Sequence, residues 1–532
     1  MNKRLLPLIL LFAVLMSLPW LVPHCGVLAL VGFVPLLWAE EMAKRLAIKR
    51  FWLCHYAAFV LWNAATTFWV CNATVGGGIF AVLANALQMS VIFGLFRFSR
   101  RHLRGVLPYL FLATMWIAWE RAYFDAEISW PWLTLGNAFA RSTCLIQWYE
   151  WTGSLGGSLW VWVVNLGIFG LLRSARDGSW LRLRMPVRVA AMGALTLAVL
   201  APLATSWILY RNYQERSEAQ VKVVIAQPNF DPYQKFTSMS QAEQTAVLLD
   251  LFREAEIPAD KPVLLMAPET FTSDIVLNHV ESSPTWQSFQ YFLQDYPQAD
   301  LLFGASTYRI FTQRSAPSLL ARPYGDGWLE SYNSAFATDH TGRSELFHKS
   351  KLVVGTEKLP YPRLFGPIDK ALGGVMGRCN VQEEVSLLHC GTDIPFGCAI
   401  CYESVYGEYC TEYVRKGARF MAVITNDAWW GDTPGYRQHL SYSALRAIEL
   451  RRDIARCANT GISAIINQRG EILQQSNWWE RETMQGEVNL NTAQTFFVRH
   501  GDVTGRACTL VFLLLAALLL VRTVLDGFRP KR

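Results

Sequence analysis

The segment Phe396–Glu403 reads FGCAICYE, in which the short β-rich run Phe396–Ile400 is followed by Cys401, Tyr402 and Glu403. Apolar runs of this length are typical of buried β-strands, and in open α/β sheets functional side chains gather at the carboxyl ends of strands. Cys401 is therefore a candidate nucleophile. A cysteine at a strand end is more often a packed core residue, so this interpretation needs support from the rest of the chain.

Residues 215–500 contain further β-rich runs with helical stretches between several of them. The runs are Val221–Ala226, Val263–Ala267, Leu301–Gly304, Asn333–Ala337 and Phe420–Thr425, with a hairpin formed by Ile462–Ile466 and Glu471–Leu473. The clearest helix is Tyr436–Arg456, where apolar residues recur four positions apart. Alternating strands and helices predict an α/β layered domain. The stretch Leu359–Cys379 is rich in Gly and Pro, which predicts a long loop of the kind that often serves as a lid.

Two charged residues also lie at or just beyond short strand-like runs. Glu269 directly follows the run 263–268, and Lys349 lies in the segment 347–352, which reads FHKSKL. A thiol becomes a good acyl-transfer nucleophile when a base removes its proton, and a glutamate can do this. A lysine and the backbone N–H after Cys401 can stabilise the oxyanion that then forms. The spacing alone does not show that the three residues converge.

The rest of the chain is strongly apolar. It contains eight segments suited to cross a bilayer, seven before the α/β region and one after it: Leu5–Val22, Gly26–Trp38, Phe51–Cys71, Ile79–Phe96, Val106–Trp119, Leu155–Leu172, Val189–Tyr210 and Cys508–Val521. The first lacks a small-x-small cleavage site and is predicted to be retained. The predicted domains are a bundle of about seven helices over 1–210, a catalytic domain over 215–500 and a last helix over 508–522.

Lys and Arg are distributed unevenly among the loops. They cluster in residues 44–50, 97–104, 173–188 and 522–532, whereas residues 72–78 carry no charge and residues 120–154 hold more acids than bases. The positive-inside rule then places both termini in the cytoplasm and the α/β domain on the outer face. The same clustering explains the net charge of +7 without a nucleic-acid partner.

The eleven cysteines do not form a disulfide framework or a metal site in this interpretation. Cys398 and Cys401 have the CxxC spacing of zinc and redox sites, but no second CxxC or paired His cluster accompanies them. We therefore expect neither a metal nor another cofactor.

Several motifs are similar to those of the apolipoprotein N-acyltransferases, a bacterial membrane family of the nitrilase (carbon–nitrogen hydrolase) superfamily. The resemblance covers nearly the whole chain. It rests on segments 267–269 (APE), 349–357 (KSKLVVGTE), 401–403 (CYE), 426–432 (NDAWWGD), 438–439 (QH) and 446–452 (RAIELRR), and on 130–137 (WPWLTLGN) and 147–150 (QWYE) in the apolar half. The lysine motif departs from the family pattern, because it lacks a proline and its glycine is displaced.

The resemblance implies a fold and a set of residue roles. The fold is a four-layer αββα sandwich joined to a membrane α-helical bundle. Glu269 would be the base, Lys349 the charge stabiliser and Cys401 the nucleophile. Matching positions that line or support the site in the family are Glu357, Glu403, Tyr402 and Trp429. Phe236 follows the segment 227–229 (QPN), where an aromatic residue would suit lipid contact.

The reaction implied by the resemblance is a ping-pong acyl transfer. Cys401 would take an acyl chain from a phospholipid as a thioester, and the N-terminal amine of a diacylglyceryl-cysteine apolipoprotein would then accept it. This is the final step of lipoprotein maturation, in the bacterial inner membrane. Two alternatives remain: a membrane-bound amidase of nitrilase type with water as the acceptor, and an inactive scaffold that binds lipoproteins. The intact Glu, Lys and Cys set argues against the scaffold.

Overall fold

The computed structural model describes residues 3–232, 235, 238–371, 373–391 and 393–527. The chain divides into two compact units, one formed by Met1–Tyr213 with His500–Arg532 and the other by Gln214–Arg499. The predicted assignment of these parts to a membrane and to an outer compartment stays a prediction.

The first unit is helical. Its helices before the second unit are α1 (Leu6–Leu21), α2 (Ala29–Gly32), α3 (Val34–Arg45), α4 (Phe51–Thr67), α5 (Val70–Ala73), α6 (Val75–His102), α7 (Leu107–Phe124), α8 (Tyr149–Arg176), α9 (Ser179–Arg182) and α10 (Met185–Asn212). Its core is aromatic: Phe33 lies 5.3 Å from Trp116 and 4.4 Å from Trp162 between ring centroids. Polar contacts also join helices, since Arg100 pairs with both Glu40 and Glu41. Short turns carry residues 131–145 between α7 and α8.

The second unit contains two mixed β-sheets. Its strands are β1 (Gln220–Gln227), β2 (Val263–Met266), β3 (Thr272–Val276), β4 (Ala299–Phe311), β5 (Arg322–Tyr324), β6 (Gly327–Thr338), β7 (Ser344–His348), β8 (Leu388–Cys390), β9 (Ile394–Ile400), β10 (Met421–Thr425), β11 (Ile454–Ala458), β12 (Ala464–Ile466), β13 (Ile472–Gln475) and β14 (Glu482–Asn489). The eight-stranded sheet has the order β14-β1-β2-β4-β6-β5, with β3 beside β4 and β7 beside β6. The six-stranded sheet has the order β13-β12-β11-β10-β9-β8.

Helices cover the outer face of each sheet. They are α11 (Gln241–Arg253) and α12 (Pro284–Leu293) on the eight-stranded sheet and α14 (Gly407–Arg415) and α15 (Pro434–Leu450) on the six-stranded sheet; the unit also contains α13 (Pro362–Ala371) and α16 (Phe496–His500). Strand β1 shows the layering: Val223 and Ile225 join the core shared by both sheets, whereas Val224 packs with the helical layer of α11 and α12. Because both faces are buried there, the strand is apolar at every position from Val223 to Ala226. This arrangement is the predicted αββα sandwich.

The last helix, α17 (Val503–Gly527), belongs to the helical unit. Within the described residues, five helical segments are long and apolar enough to cross a membrane: Gly26–Arg45, Val75–His102, Tyr149–Arg176, Met185–Asn212 and Val503–Gly527. Each of the eight predicted segments coincides with helical structure, while the number that crosses stays a prediction. The predicted fold class, a membrane helical bundle with a nitrilase-like α/β sandwich, is confirmed.

Two predicted elements are wrong. The helix predicted over Tyr436–Arg456 ends at Leu450, because Arg451 takes a left-handed backbone with φ 49°, and β11 follows. The predicted loop Leu359–Cys379 contains helix α13. Its proline at position 362 opens the helix, where a missing N–H costs little.

Candidate active site

A buried amine with two carboxylates forms the centre of the site. Nζ of Lys349 lies 2.9 Å from Oε1 of Glu269 and 2.9 Å from Oε1 of Glu357. The side-chain amide of Asn333 donates to the same two oxygens, at 2.8 and 2.7 Å. Burial lowers the pKa of Lys349, but the two glutamates outweigh it and hold that pKa well above its usual range. The lysine is therefore a fixed positive charge.

Both sheets contribute to the position of Glu269. It follows β2, and its Oε2 accepts a hydrogen bond at 3.1 Å from the backbone N–H of Asn426, which follows β10 in the other sheet. Gly304 on β4 packs directly against it, because a Cβ there would lie 2.6 Å from Cα of Glu269. The carboxylate is thus held from two sides, and a larger residue at position 304 would displace it.

Cys401 occupies a strained turn at the end of β9. Its φ is 52°, a left-handed conformation that is uncommon for residues other than glycine. The residue is 8% exposed and begins the short 3₁₀ turn Cys401–Val405. Burial and the neighbouring Glu269 raise the pKa of the thiol, while Lys349 lowers it, and the net direction is upward. The resting group is a thiol, so a base has to remove its proton before attack.

Glu403 joins the nucleophile turn to the lysine segment. It is fully buried, and its carboxylate accepts hydrogen bonds from the backbone N–H groups of Ile400 at 2.8 Å and Ser350 at 2.6 Å. The hydroxyl of Tyr409 donates to it at 2.9 Å. Burial raises the pKa of Glu403 to about 7. Because one side chain bonds both segments, it fixes Cys401 relative to Lys349.

A second polar group lies next to Cys401. Sγ of Cys401, a carboxylate oxygen of Asp427 and a ring nitrogen of His439 lie within 4.8 Å of one another, a set that could hold a metal ion. However, Arg456 donates to Asp427 at 2.6 Å and Thr425 donates to it at 2.8 Å. His439 and Arg456 outweigh burial and hold the pKa of Asp427 at about 2. The guanidinium already neutralises this carboxylate, so the group fits a metal poorly.

Two family models match different parts of this chain. The apolipoprotein N-acyltransferase N-terminal domain matches residues 12–167, and the carbon-nitrogen hydrolase model matches residues 315–496. The apolipoprotein N-acyltransferase of Chlorobaculum tepidum is 26% identical, with 94% of this chain and 93% of that protein covered. The chain belongs to the apolipoprotein N-acyltransferase family. The family protein of Geobacter metallireducens is 28% identical, with 96% and 94% covered.

A solved structure is also similar to this apolipoprotein N-acyltransferase family member. It is Nit3 of Saccharomyces cerevisiae, a nitrilase superfamily member, with a TM-score of 0.37 and 15% identity over 55% of this chain and 99% of that one. The resemblance drawn from the sequence motifs is confirmed by the family models and the full-length relatives.

The structure brings together five of the family residues predicted from sequence: Glu269, Lys349, Glu357, Cys401 and Glu403. Tyr402 is buried, and its ring lies 5.2 Å from that of Tyr406. Trp429 is 37% exposed in the 3₁₀ turn Asp427–Trp430. Phe236 lies outside the described residues.

Sequence reasoning assigned no role to four polar residues of the site in this family member, although Asn426 and His439 lie in motifs that carry the resemblance. Asn333 and His439 bind the catalytic segments from β6 and α15, and Asn426 supplies a backbone donor. Lys235 is buried, donates to the carbonyl oxygen of Thr270, and burial lowers its pKa to about 8. The available signal was weak: Asn333 is the first residue of the predicted strand Asn333–Ala337, and its neighbour Ser334 is also polar.

Proposed function

We propose that this chain transfers an acyl chain from a phospholipid to the N-terminal amine of a diacylglyceryl-cysteine apolipoprotein. The single observation that carries the proposal is the meeting of Cys401, Glu269 and Lys349 in one buried site, within a chain that both family models match. A strained, buried thiol beside a carboxylate and a fixed cation is suited to acyl transfer. It has no evident use in a scaffold.

In the first half-reaction, Glu269 takes the proton of the Cys401 thiol as the thiolate attacks an ester carbonyl of the phospholipid. The carbonyl oxygen becomes an oxyanion, which Lys349 and the backbone N–H of Tyr402 stabilise. The ester C–O bond then breaks, and Glu269 returns its proton to the leaving alkoxide. The products are a lysophospholipid and a thioester on Cys401.

In the second half-reaction, the apolipoprotein amine attacks the thioester carbonyl. Glu269 takes a proton from the amine, the oxyanion forms at the same place, and the C–S bond breaks. The thiolate leaves and regains a proton from Glu269, so that an amide is formed and the enzyme returns to its starting state. The same three groups can serve both steps, because both half-reactions pass through a tetrahedral oxyanion.

The hydrogen bonds around Glu269 support its role as the base. Oε1 accepts hydrogen bonds from the side chains of Lys349 and Asn333, and Oε2 accepts one from the backbone N–H of Asn426. Both oxygens are therefore oriented before substrate binds. Such preorganisation lowers the reorganisation needed during proton transfer. Glu357 binds the same lysine and the backbone N–H of Val353 at 2.7 Å, which favours an orienting rather than a proton-transfer role.

We place the enzyme in the bacterial inner membrane as a multi-pass protein. Both termini lie in the cytoplasm, and the catalytic unit Gln214–Arg499 lies on the outer face. The support is the clustering of Lys and Arg in alternate loops together with five long apolar helical segments. The two substrates proposed for the site, a phospholipid and a lipid-modified apolipoprotein, are membrane components.

The test follows a label from donor to acceptor. Phospholipid with a radiolabelled acyl chain is incubated with the purified enzyme and a diacylglyceryl-modified lipopeptide, with Cys401→Ala as the matched inactive variant. We expect the label on the peptide amine with the unaltered enzyme and none with the variant. Release of free labelled fatty acid without peptide labelling would instead support the amidase-type alternative, in which water is the acceptor.

A further inference from the structure

His439 contacts the backbone of the nucleophile itself. It lies on α15 and is fully buried, and its Nε2 is 3.1 Å from the carbonyl oxygen of Cys401. Nε2 is also 3.0 Å from Oγ of Ser404, which donates to the same carbonyl oxygen at 2.8 Å. The carbonyl of Cys401 therefore has two side chains directed at it.

The imidazole is held in place from its other side. Its Nδ1 lies 2.8 Å from Oδ1 of Asp427. Asp427 accepts from Thr425 at 2.8 Å and from Arg456 at 2.6 Å, and Arg456 also donates to Ser443 at 3.2 Å. Every member of this network is buried. The ring can neither rotate nor move away without losing its buried contact with Asp427, which Arg456 and Thr425 hold in place.

The geometry of a peptide bond links this contact to catalysis. The carbonyl of Cys401 and the N–H of Tyr402 belong to one planar trans peptide, so the two bonds point in opposite directions. Fixing the carbonyl oxygen therefore fixes the direction of the N–H. A donor on the oxygen also polarises the peptide and makes its N–H a stronger donor.

We propose that His439 is a positioning residue, which holds the Cys401–Tyr402 peptide so that the N–H of Tyr402 faces the oxyanion opposite Lys349. This inference rests on the proposed acyl transfer. Cys401 has a left-handed φ of 52°. A residue with this unfavourable backbone conformation changes to a more favourable one unless neighbouring contacts hold it in place.

Two substitutions distinguish the contacts made by the two ring nitrogens of His439. His439→Gln can reach as far as Nε2 and place an amide N–H at the Cys401 carbonyl, whereas His439→Asn reaches only as far as Nδ1 and keeps the contact with Asp427. Ile448→Ala is the stability control, because this residue lies on the same helix with its side chain toward the turn at Gly470. The thermal unfolding midpoint is measured for all three variants.

Two reactions of Cys401 are then compared by peptide mass spectrometry under single-turnover conditions. Acylation by p-nitrophenyl butyrate forms an oxyanion, whereas alkylation by iodoacetamide forms none. We expect His439→Asn to slow acylation by about 10- to 100-fold, the range for one hydrogen bond to a charged group, and to leave alkylation nearly unchanged. His439→Gln and Ile448→Ala should acylate within about threefold of the unaltered enzyme.

Three outcomes would overturn the inference. They are a parallel loss of acylation and alkylation in His439→Asn, equal losses in the Asn and Gln variants, and unchanged acylation in both. None of these depends on the phospholipid. If the unaltered enzyme reacts with the ester probe but never with phospholipid, the proposed function fails while the role of His439 is still decided.

Discussion

Replacing Lys349 by methionine removes the only cation that the described structure places between Glu269 and Glu357. The amine lies 2.9 Å from both carboxylates and is 1% exposed. Losing one oxyanion donor costs about 3–4 kcal/mol in acyl-transfer sites, which is roughly 100- to 1,000-fold in rate. Breaking a buried ion pair by removing one partner costs about 3–5 kcal/mol of stability. Lys349→Met should therefore lose both activity and stability.

A double variant separates these two losses. Glu357→Gln in the Lys349→Met background removes one of the two carboxylates left without a cation, so stability should recover in part. The rate should not recover, because the oxyanion still lacks its charge. Lys351→Met is the matched control: its amine lies 5.2 Å from the ring centre of Tyr406, a cation–π contact worth about 0.5–2 kcal/mol.

The assay is the rate of acyl-adduct formation on Cys401 in a single turnover, with the unfolding midpoint measured on the same preparations. Normal adduct formation in Lys349→Met would refute the electrostatic role. Recovery of the rate together with stability in the double variant would show that the lysine acts only through folding.

Three other predictions address pH, the site and topology. Burial raises the pKa of Asp453 to about 7, against about 3.9 in an unfolded chain, so its contribution to stability is full below about pH 4 and is lost as pH rises through about 7. Asp453→Asn should therefore weaken the dependence of the thermal unfolding midpoint on pH between about 4 and 7. An unchanged dependence on pH would contradict this. Asn333→Asp should slow acylation at pH 8 more than Asn333→Ala, since it adds a third carboxylate; equal rates would exclude this reason. Cysteine-accessibility mapping should label introduced cysteines in 215–500 from outside and leave those in 97–104 and 173–188 protected, and the reverse pattern would invert the topology.

The sequence predicts the strands of the site because local patterns determine them. Six predicted runs coincide with strands or parts of strands, including those that precede Glu269 and Cys401. Their extent is harder to predict: Leu301–Gly304 is only the middle of β4, which runs from Ala299 to Phe311. Pairing with β6 determines where β4 begins and ends. This partner strand cannot be identified from the local sequence of β4.

The errors have physical causes in long-range contacts. The helix predicted to reach Arg456 stops early because Arg452 and Arg456 are buried and donate to distant groups, including the carbonyl of Ala418 and the carboxylate of Asp427. In a helical sequence pattern, a charged residue is normally expected on the solvent-exposed side of the helix. Helix α13 was missed because its glycine and prolines weaken the local helical signal.

The site shows the same limit. Glu269, Lys349 and Cys401 could be selected from strand ends and chemistry, but their convergence followed only from the family resemblance. Asn333 and His439 could not be given a role from the sequence, since they act through contacts with residues that are 64 and 38 positions away in the chain, respectively. Polar partners of this kind become visible only when the two sheets are assembled.

The most direct test of the central claim is the mass of the enzyme after incubation with phospholipid and no acceptor. We expect an increase equal to one acyl chain, located on the peptide that contains Cys401, and its loss after the lipopeptide amine is added. Cys398→Ala should behave like the unaltered enzyme, and Cys401→Ala should acquire no adduct. An adduct that persists in Cys401→Ala and disappears in Cys398→Ala would contradict the account, because the nucleophile would then be the wrong cysteine.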